Sequence, residues 1–453
     1  MQSISCESTK KLSAFISDTN YGNIPEEVIL RVKMCIMDWI GSAYSGIGSS
    51  TDTIMHNLIK EMGGMNIATL IGSEYSAPPM WAALYNGMIS GVMEIDDVHE
   101  EVQLHPSIAI IPAALAVAEY TGSSGRDLMT SIIIGYDISV RIARCAGTTH
   151  YRLWHSTGTC NTFGAAAAAG KLLNMDEKGL TMALGLSGTQ ASGLWESINA
   201  EATMAKHLHG GKASFNGIFS AFLAKAGYKG SDRIIEGKKG FLAVFSKATK
   251  QDIIKLTEAF GKPFLITKNF FKKYACCRGC FEGIEGVHNI LTQNNLNPKD
   301  IEKILVTTTP TRVWTVGNKK PKNIYEAKFS LPFCLALIAN NKNAGLYDFN
   351  EENLNHPLIK EFMRKVKLVS DPHMPLRVQR IEVICRDKSI FSQELLCKSL
   401  NMEEVKEKFI KNMLPISNEE YISNILCQVE NLEKIENVKE LTNILKHKPR
   451  RSF

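Results

Sequence analysis

Neither sign of charge dominates this sequence. Lys and Arg number 52 against 46 Asp and Glu, a net charge of +6 over 453 residues. A surplus that thin does not build the basic face that nucleic acid needs, so no nucleic-acid partner is expected. Long apolar runs are missing too. The longest, IAIIPAALAVA from Ile108 to Ala118, is too short to span a bilayer, and no membrane partner is expected. The opening MQSISCESTKKLSAF lacks a basic head followed by an apolar stretch, so no signal peptide is read there. The 11 cysteines are scattered and odd in number, unlike a secreted disulfide framework. These absences lead to the expectation of a cytoplasmic protein. What is present is ordinary globular composition, 44% hydrophobic and 22% charged. The chain is long enough for roughly two to three domains and a large core.

The first 260 or so residues read mainly as helix. PEEVILRVKMCIMDWIGSAYSG opens with Pro and two Glu, which suit a first helical turn. GAAAAAGKLLNMDEKGLTMALG is rich in small residues, which lets helices approach closely and places it in the interior. Composition changes after about Pro263. KILVTTT, Lys303 to Thr309, favours strand, and RIEVICRDKSIFSQEL reads as a hairpin turning near Asp387 and Lys388. AKFSLPFCLALIAN reads as helix despite its Pro, and the tail from Met402 returns to amphipathic helix. The basic end, HKPRRSF, reads as a solvated terminus.

Charge gathers where apolar sequence flanks it. EIDDVHEEVQLHPS, from Glu94 to Ser107, holds Asp96, Asp97, His99 and His105 between two buried-looking segments. WHSTGTCNTFG carries His155, and MAKHLHGGKASFNG carries Lys206, His207, His209 and Lys212. FFKKYACCRGCFEG carries Lys272, Tyr274, Arg278 and three cysteines. Buried charge must be paired or functional, because an uncompensated one costs several kcal/mol. Metal chemistry has no familiar spacing: HEXXH is absent, and the Cys277–Cys280 CxxC, with Cys276 beside it, has no second pair. GAAAAAGK has one residue too many for a phosphate loop, and no GxGxxG follows a strand. Acid–base chemistry on an anion remains. Lys206, Lys212, Lys272 and Arg278 suit carboxylates, and histidines exchange protons near neutral pH.

These pieces, in this order, resemble the MmgE/PrpD family over roughly Leu12 to Leu400: DDVH with HPS and PAALAVAE, WHSTGTCNTFGAAAAAGKLL, AKHLHGGKASFNGIFSAFLAKAG, KKYACC and EAKFSLPF. The resemblance implies a mainly α fold, with a large all-helical domain built from both chain ends (1–266 and 401–453) and a smaller inserted α+β lid (267–400). It implies a homodimer without metal or other cofactor. Carried over by position, the pocket contains Asp96 or Asp97, His105, His155, Lys206, His209, Lys272 and Ser330. His105 and His155 are the expected proton-transfer groups. Asp97 orients a histidine or lysine, and Lys206 and Lys272 bind carboxylates. Tyr274 and Arg278 join the substrate-binding set. Glu100 and Glu101 are expected to face solvent.

The chain departs from the family pattern at several places. Dehydratase members carry Asn-Asp-Thr where Asp96-Asp97-Val98 stands, and HPSDN for HPSIA. The decarboxylase pattern has Asp at Glu94 and Thr at Val98. A family histidine falls at Phe281; Cys280 or Cys277 either supplies a proton in its place or, as the preferred reading has it, is inert packing. The resulting expectation is a cofactor-independent lyase, a dehydratase or decarboxylase, acting on a small di- or tricarboxylate such as 2-methylcitrate or cis-aconitate. The alternatives are a cofactor-free epimerase of a dicarboxylate and a non-catalytic relative.

Overall fold

The computed structural model describes residues 7–199 and 204–447. The first six residues and the basic tail beyond His447, both read above from sequence, lie outside the described residues. The chain is mainly α and divides into two compact units. One holds Met1–Val92, Asp96–Phe271 and Asn401–Phe453; the other holds Met93–Ile95 and Lys272–Leu400. The seam therefore follows Phe271 rather than residue 266, and Met93–Ile95 joins the second unit.

The first unit packs helices whose sequences are short of bulk. Ser156–Leu172 is buried at every residue except Lys171. The Ala205–Lys225 helix lies against it and against Pro79–Gly91. The fit depends on glycine: a Cβ at Gly217 would meet Ala165 Cβ at 2.5 Å. Run 164–171 thus sits inside a packed helix, and Lys171 Nζ donates to the Ser17 carbonyl at 2.7 Å. Ser107–Thr121 accommodates Pro112 and stops at Gly122, whose φ of 70° is left-handed.

The C-terminal segment returns to this unit. Met402–Met413 begins on a capping box in which Asn401 and Glu404 bond each other's backbone N–H groups. It packs on Glu26–Gly46, where Gly41 leaves room for the Phe409 ring. Lys408 Nζ meets the buried Asp38 carboxylate at 2.5 Å, and Tyr44 Oη donates to the Leu445 carbonyl at 2.8 Å. No described helix is long and apolar enough to cross a membrane.

The second unit carries a four-stranded sheet in the order Val366–Ser370, Ile301–Thr308, Gln379–Cys385, Ile390–Leu395. The first pair is parallel and the others antiparallel. The expected hairpin forms: Lys388 takes φ 72°, and Asp387 accepts from the Ser389 N–H at 3.0 Å. Helix Phe281–Gln293 covers the sheet, with Gly286 against Ile381. Leu331–Ala339 packs on that helix. Its Pro332 sits in the first turn, where no amide partner is lost, and Ser330 caps it by accepting from Phe333 N–H at 3.2 Å.

Burial pushes the Asp38 carboxyl up to about 6, even with Lys408 beside it. Lys408→Met strands that carboxylate. Urea unfolding at pH 8 should show a loss of about 3–5 kcal/mol. The loss should be smaller at pH 5, where the carboxyl takes up a proton. A loss below about 1 kcal/mol at pH 8 would mean that the pair does not hold the C-terminal return.

Candidate active site

The charged stretch after Ile95 is fixed by a short ladder. Val98 and His99 pair antiparallel with Phe270 and Asn269, and His99 Nε2 lies 3.1 Å from the Leu265 carbonyl. Asp96, Asp97 and His99 are buried. Glu101 faces solvent and reaches Arg144 at 2.6 Å, whereas Glu100 is half-buried.

Asp97 is the anchor of this turn. Its Oδ1 accepts from Ser107 N–H at 3.1 Å and Ser107 Oγ at 2.6 Å. Its Oδ2 accepts from Tyr136 Oη at 2.7 Å and Asn269 Nδ2 at 2.6 Å. Burial nevertheless raises its pKa against these bonds. The carboxylate therefore serves the turn and the start of Ser107–Thr121. The expected orientation of a histidine or lysine by this carboxylate is not what the structure places there. Asp96 takes that position: its Oδ2 lies 2.8 Å from His105 Nδ1. The Asp97 carbonyl lies 2.7 Å from the same nitrogen. Both neighbours are acceptors, so Nδ1 carries a hydrogen.

His155 stands at the N-cap of Ser156–Leu172, its ring centroid 6.2 Å from that of His105. Trp195 covers it at 4.5 Å between centroids. His155 Nδ1 lies 3.0 Å from His209 Nδ1, so one donates and the other accepts. Among the described residues, His155 Nε2 has no hydrogen-bond partner. Burial, then the neighbouring His209 and Lys206, push the His155 pKa well below the usual histidine range. Burial, then Lys212 and Lys206, lower that of His209 to about 4. Both imidazoles are neutral at pH 7. Lys206 and His209 lie three residues apart on Ala205–Lys225, hence on one face. Lys212 is held through the Ser192 carbonyl at 3.2 Å and the Ser192 hydroxyl.

In the second unit the expected binding residues have partners of their own. Lys272 Nζ, fully buried, donates to the Glu94 carbonyl at 3.0 Å and meets its carboxylate at 3.3 Å. Tyr274 Oη donates to Glu285 at 2.6 Å. Arg278 binds Glu282 at 2.7 Å, and Arg312 holds the other oxygen of that carboxylate at 3.0 Å. Ser330 Oγ donates to the Asn318 carbonyl at 2.5 Å in addition to its capping role.

Two family models match consecutive parts of the chain: the MmgE/PrpD N-terminal domain over residues 10–254 and the MmgE/PrpD C-terminal domain over 274–433. This chain belongs to the MmgE/PrpD family. Among curated relatives it is similar to the cis-aconitate decarboxylase of Homo sapiens, 26% identical over 459 residues that cover 97% of this chain and 94% of that protein. The Mus musculus cis-aconitate decarboxylase is 24% identical, with 97% and 93% covered. That of Aspergillus terreus is 26% identical over 385 residues, with 79% and 77% covered.

Several residues around the histidines of this MmgE/PrpD protein escaped the sequence reading. Thr157 Oγ1 accepts from the His105 N–H at 3.2 Å, and Asn161 Nδ2 donates to its carbonyl at 2.7 Å. Their spacing of four in a helical segment was the available signal. Tyr136, Trp195 and Asn269 left none, because their partners are remote in sequence. Phe281, where the resemblance places a family histidine, is buried and packs edge-on to Tyr274 at 5.1 Å. Burial raises the pKa of both Cys277 and Cys280, in keeping with inert packing over proton supply by a thiol.

The depressed histidine pKa values fix a pH dependence. An unfolded histidine protonates near its ordinary value of about 6.5, whereas folded His209 waits until about 4. This share of stability is complete above pH 6.5 and is lost as the pH falls toward 4. Denaturant midpoints should therefore drop on acidification across this window. His209→Gln should flatten that slope by on the order of 1–3 kcal/mol. An unchanged slope would mean that His209 is not held neutral.

Proposed function

We propose that this protein is a cofactor-independent lyase that removes a carboxylate from a small unsaturated tricarboxylate, cis-aconitate or a close analogue. The observation that carries the reading is the pair of neighbouring imidazoles: His105, aligned by Asp96, and His155, buried with its Nε2 uncommitted among the described residues. The names of the relatives support decarboxylation over dehydration.

In this reading a carbon–carbon bond breaks and carbon dioxide leaves. The electron pair left behind delocalises into the adjacent carbon–carbon double bond. The carbon that gains electron density takes a proton from a histidine Nε2, and solvent restores that proton. His105, held by Asp96 at Nδ1 with Nε2 turned away from that contact, is the donor in this reading. The neutral, desolvated His155 suits the complementary base role or a hydrogen bond to a substrate carboxylate. Lys206 supplies positive charge for a carboxylate. A second reading, epimerisation, is supported by the same two imidazoles, because a base and an acid on opposite faces of one carbon would invert it.

Proton NMR in D2O with cis-aconitate, citrate, 2-methylcitrate and imino-linked dicarboxylates separates the two. The expected result is loss of cis-aconitate, new alkene signals and one deuterium in the product. Deuterium exchange with the carbon skeleton intact would replace this reading with the epimerase. His105→Ala and His155→Ala should each lower kcat about 10²–10⁴-fold with circular dichroism unchanged. Full activity in both variants would remove the two histidines from the mechanism.

A further inference from the structure

The second unit contains a cluster that neither the fold nor the proposed reaction uses. The sulfurs of Cys276, Cys280 and Cys334 all lie within 4.8 Å of one another, and all three residues are fully buried. They come from two segments. Cys276 and Cys280 flank the turn that leads into Phe281–Gln293, and Cys334 lies in the Leu331–Ala339 helix packed against it. The CxxC visible in the sequence is therefore not the operative group: Cys277 stands outside the cluster, and Cys334 replaces it.

We propose that Cys276, Cys280 and Cys334 form a binding site for a soft monovalent cation, copper(I), held by three sulfurs. The donor set selects the ion. Thiolates favour soft cations and disfavour the hard ions that take oxygen ligands. A structural zinc site closes with four protein ligands, and among the described residues this group has three. With metal–sulfur bonds of about 2.3 Å, as thiolates make to zinc, a trigonal ion spaces its sulfurs about 4 Å apart. The sulfur spacings, none above 4.8 Å, are compatible with that value.

Copper(I) displaces the thiol protons, which pass to solvent, and no electron is transferred. Lys328, fixed by the carbonyls of Met93 at 2.9 Å and Ala275 at 3.1 Å, compensates part of the resulting negative charge. The site is independent of the reaction proposed above.

The test is an anaerobic titration of the reduced full-length protein against copper(I) held by bicinchoninate. X-ray absorption is then measured on the loaded wild-type protein. The expected result is one copper withdrawn per chain, coordinated by sulfur alone at three-fold occupancy. Cys427→Ala, at an exposed thiol, should keep that stoichiometry. Cys334→Ala, and Cys276→Ala with Cys280→Ala, should abolish it. Failure of the wild type to withdraw copper would overturn the proposal. So would nitrogen or oxygen in its copper shell, or an undiminished stoichiometry in either cysteine-cluster variant. The spectrum of the wild type decides the matter even where a variant does not fold.

Discussion

The geometry of the first unit's candidate site depends on one buried carboxylate. Asp97 is removed from water and accepts four hydrogen bonds, two from Ser107 and one each from Tyr136 and Asn269. A carboxylate at that depth without such partners would cost several kcal/mol. The partners come from two helices and the strand pairing at Asn269, so satisfying one charge brings three parts of the chain to one point. The backbone held there is the backbone that carries Asp96 and presents the Asp97 carbonyl. His105 therefore receives both acceptors at one nitrogen because Asp97 spends its own side chain elsewhere.

Neighbouring acids thus have unlike roles. Asp97 builds the turn, and Asp96 aligns an imidazole. The same division separates the histidines. His105 has a carboxylate beside it, whereas His155 has another imidazole, a tryptophan face and burial. Burial holds the His155 ring neutral, whereas His105 is fixed by two acceptors at one nitrogen.

Much of this was legible because the signals were local. The small-residue run 164–170 announced a tightly packed helix, and the β-branched run ending at Thr309 announced a strand. AKFSLPFCLALIAN read as helix despite its Pro, which the structure puts in the first turn behind the Ser330 cap. The polar clusters at His105, His155 and Lys206 marked the helical part of the site because charge stood out against apolar text. What escaped depended on contacts between remote positions. Nothing in the sequence around Asp96 and Asp97 says which of two adjacent acids turns inward to Asn269. Nothing near the CxxC points to Cys334, and the pairing of Glu94 with Lys272 joins segments far apart in the chain.

That last pairing changes how the second unit's charges are understood. Glu94 takes a left-handed backbone, φ 57°, a conformation that costs a non-glycine residue roughly 1–2 kcal/mol. Lys272 offsets the strain by binding both the Glu94 carbonyl and its carboxylate. Lys328 binds the preceding carbonyl, that of Met93. Burial, only partly countered by Glu94, lowers the Lys328 pKa to about 8. Lys328 also binds the Ala275 carbonyl, next to Cys276, so it ties the Met93–Ile95 segment to the cysteine cluster, and a substitution at Glu94 should be felt there.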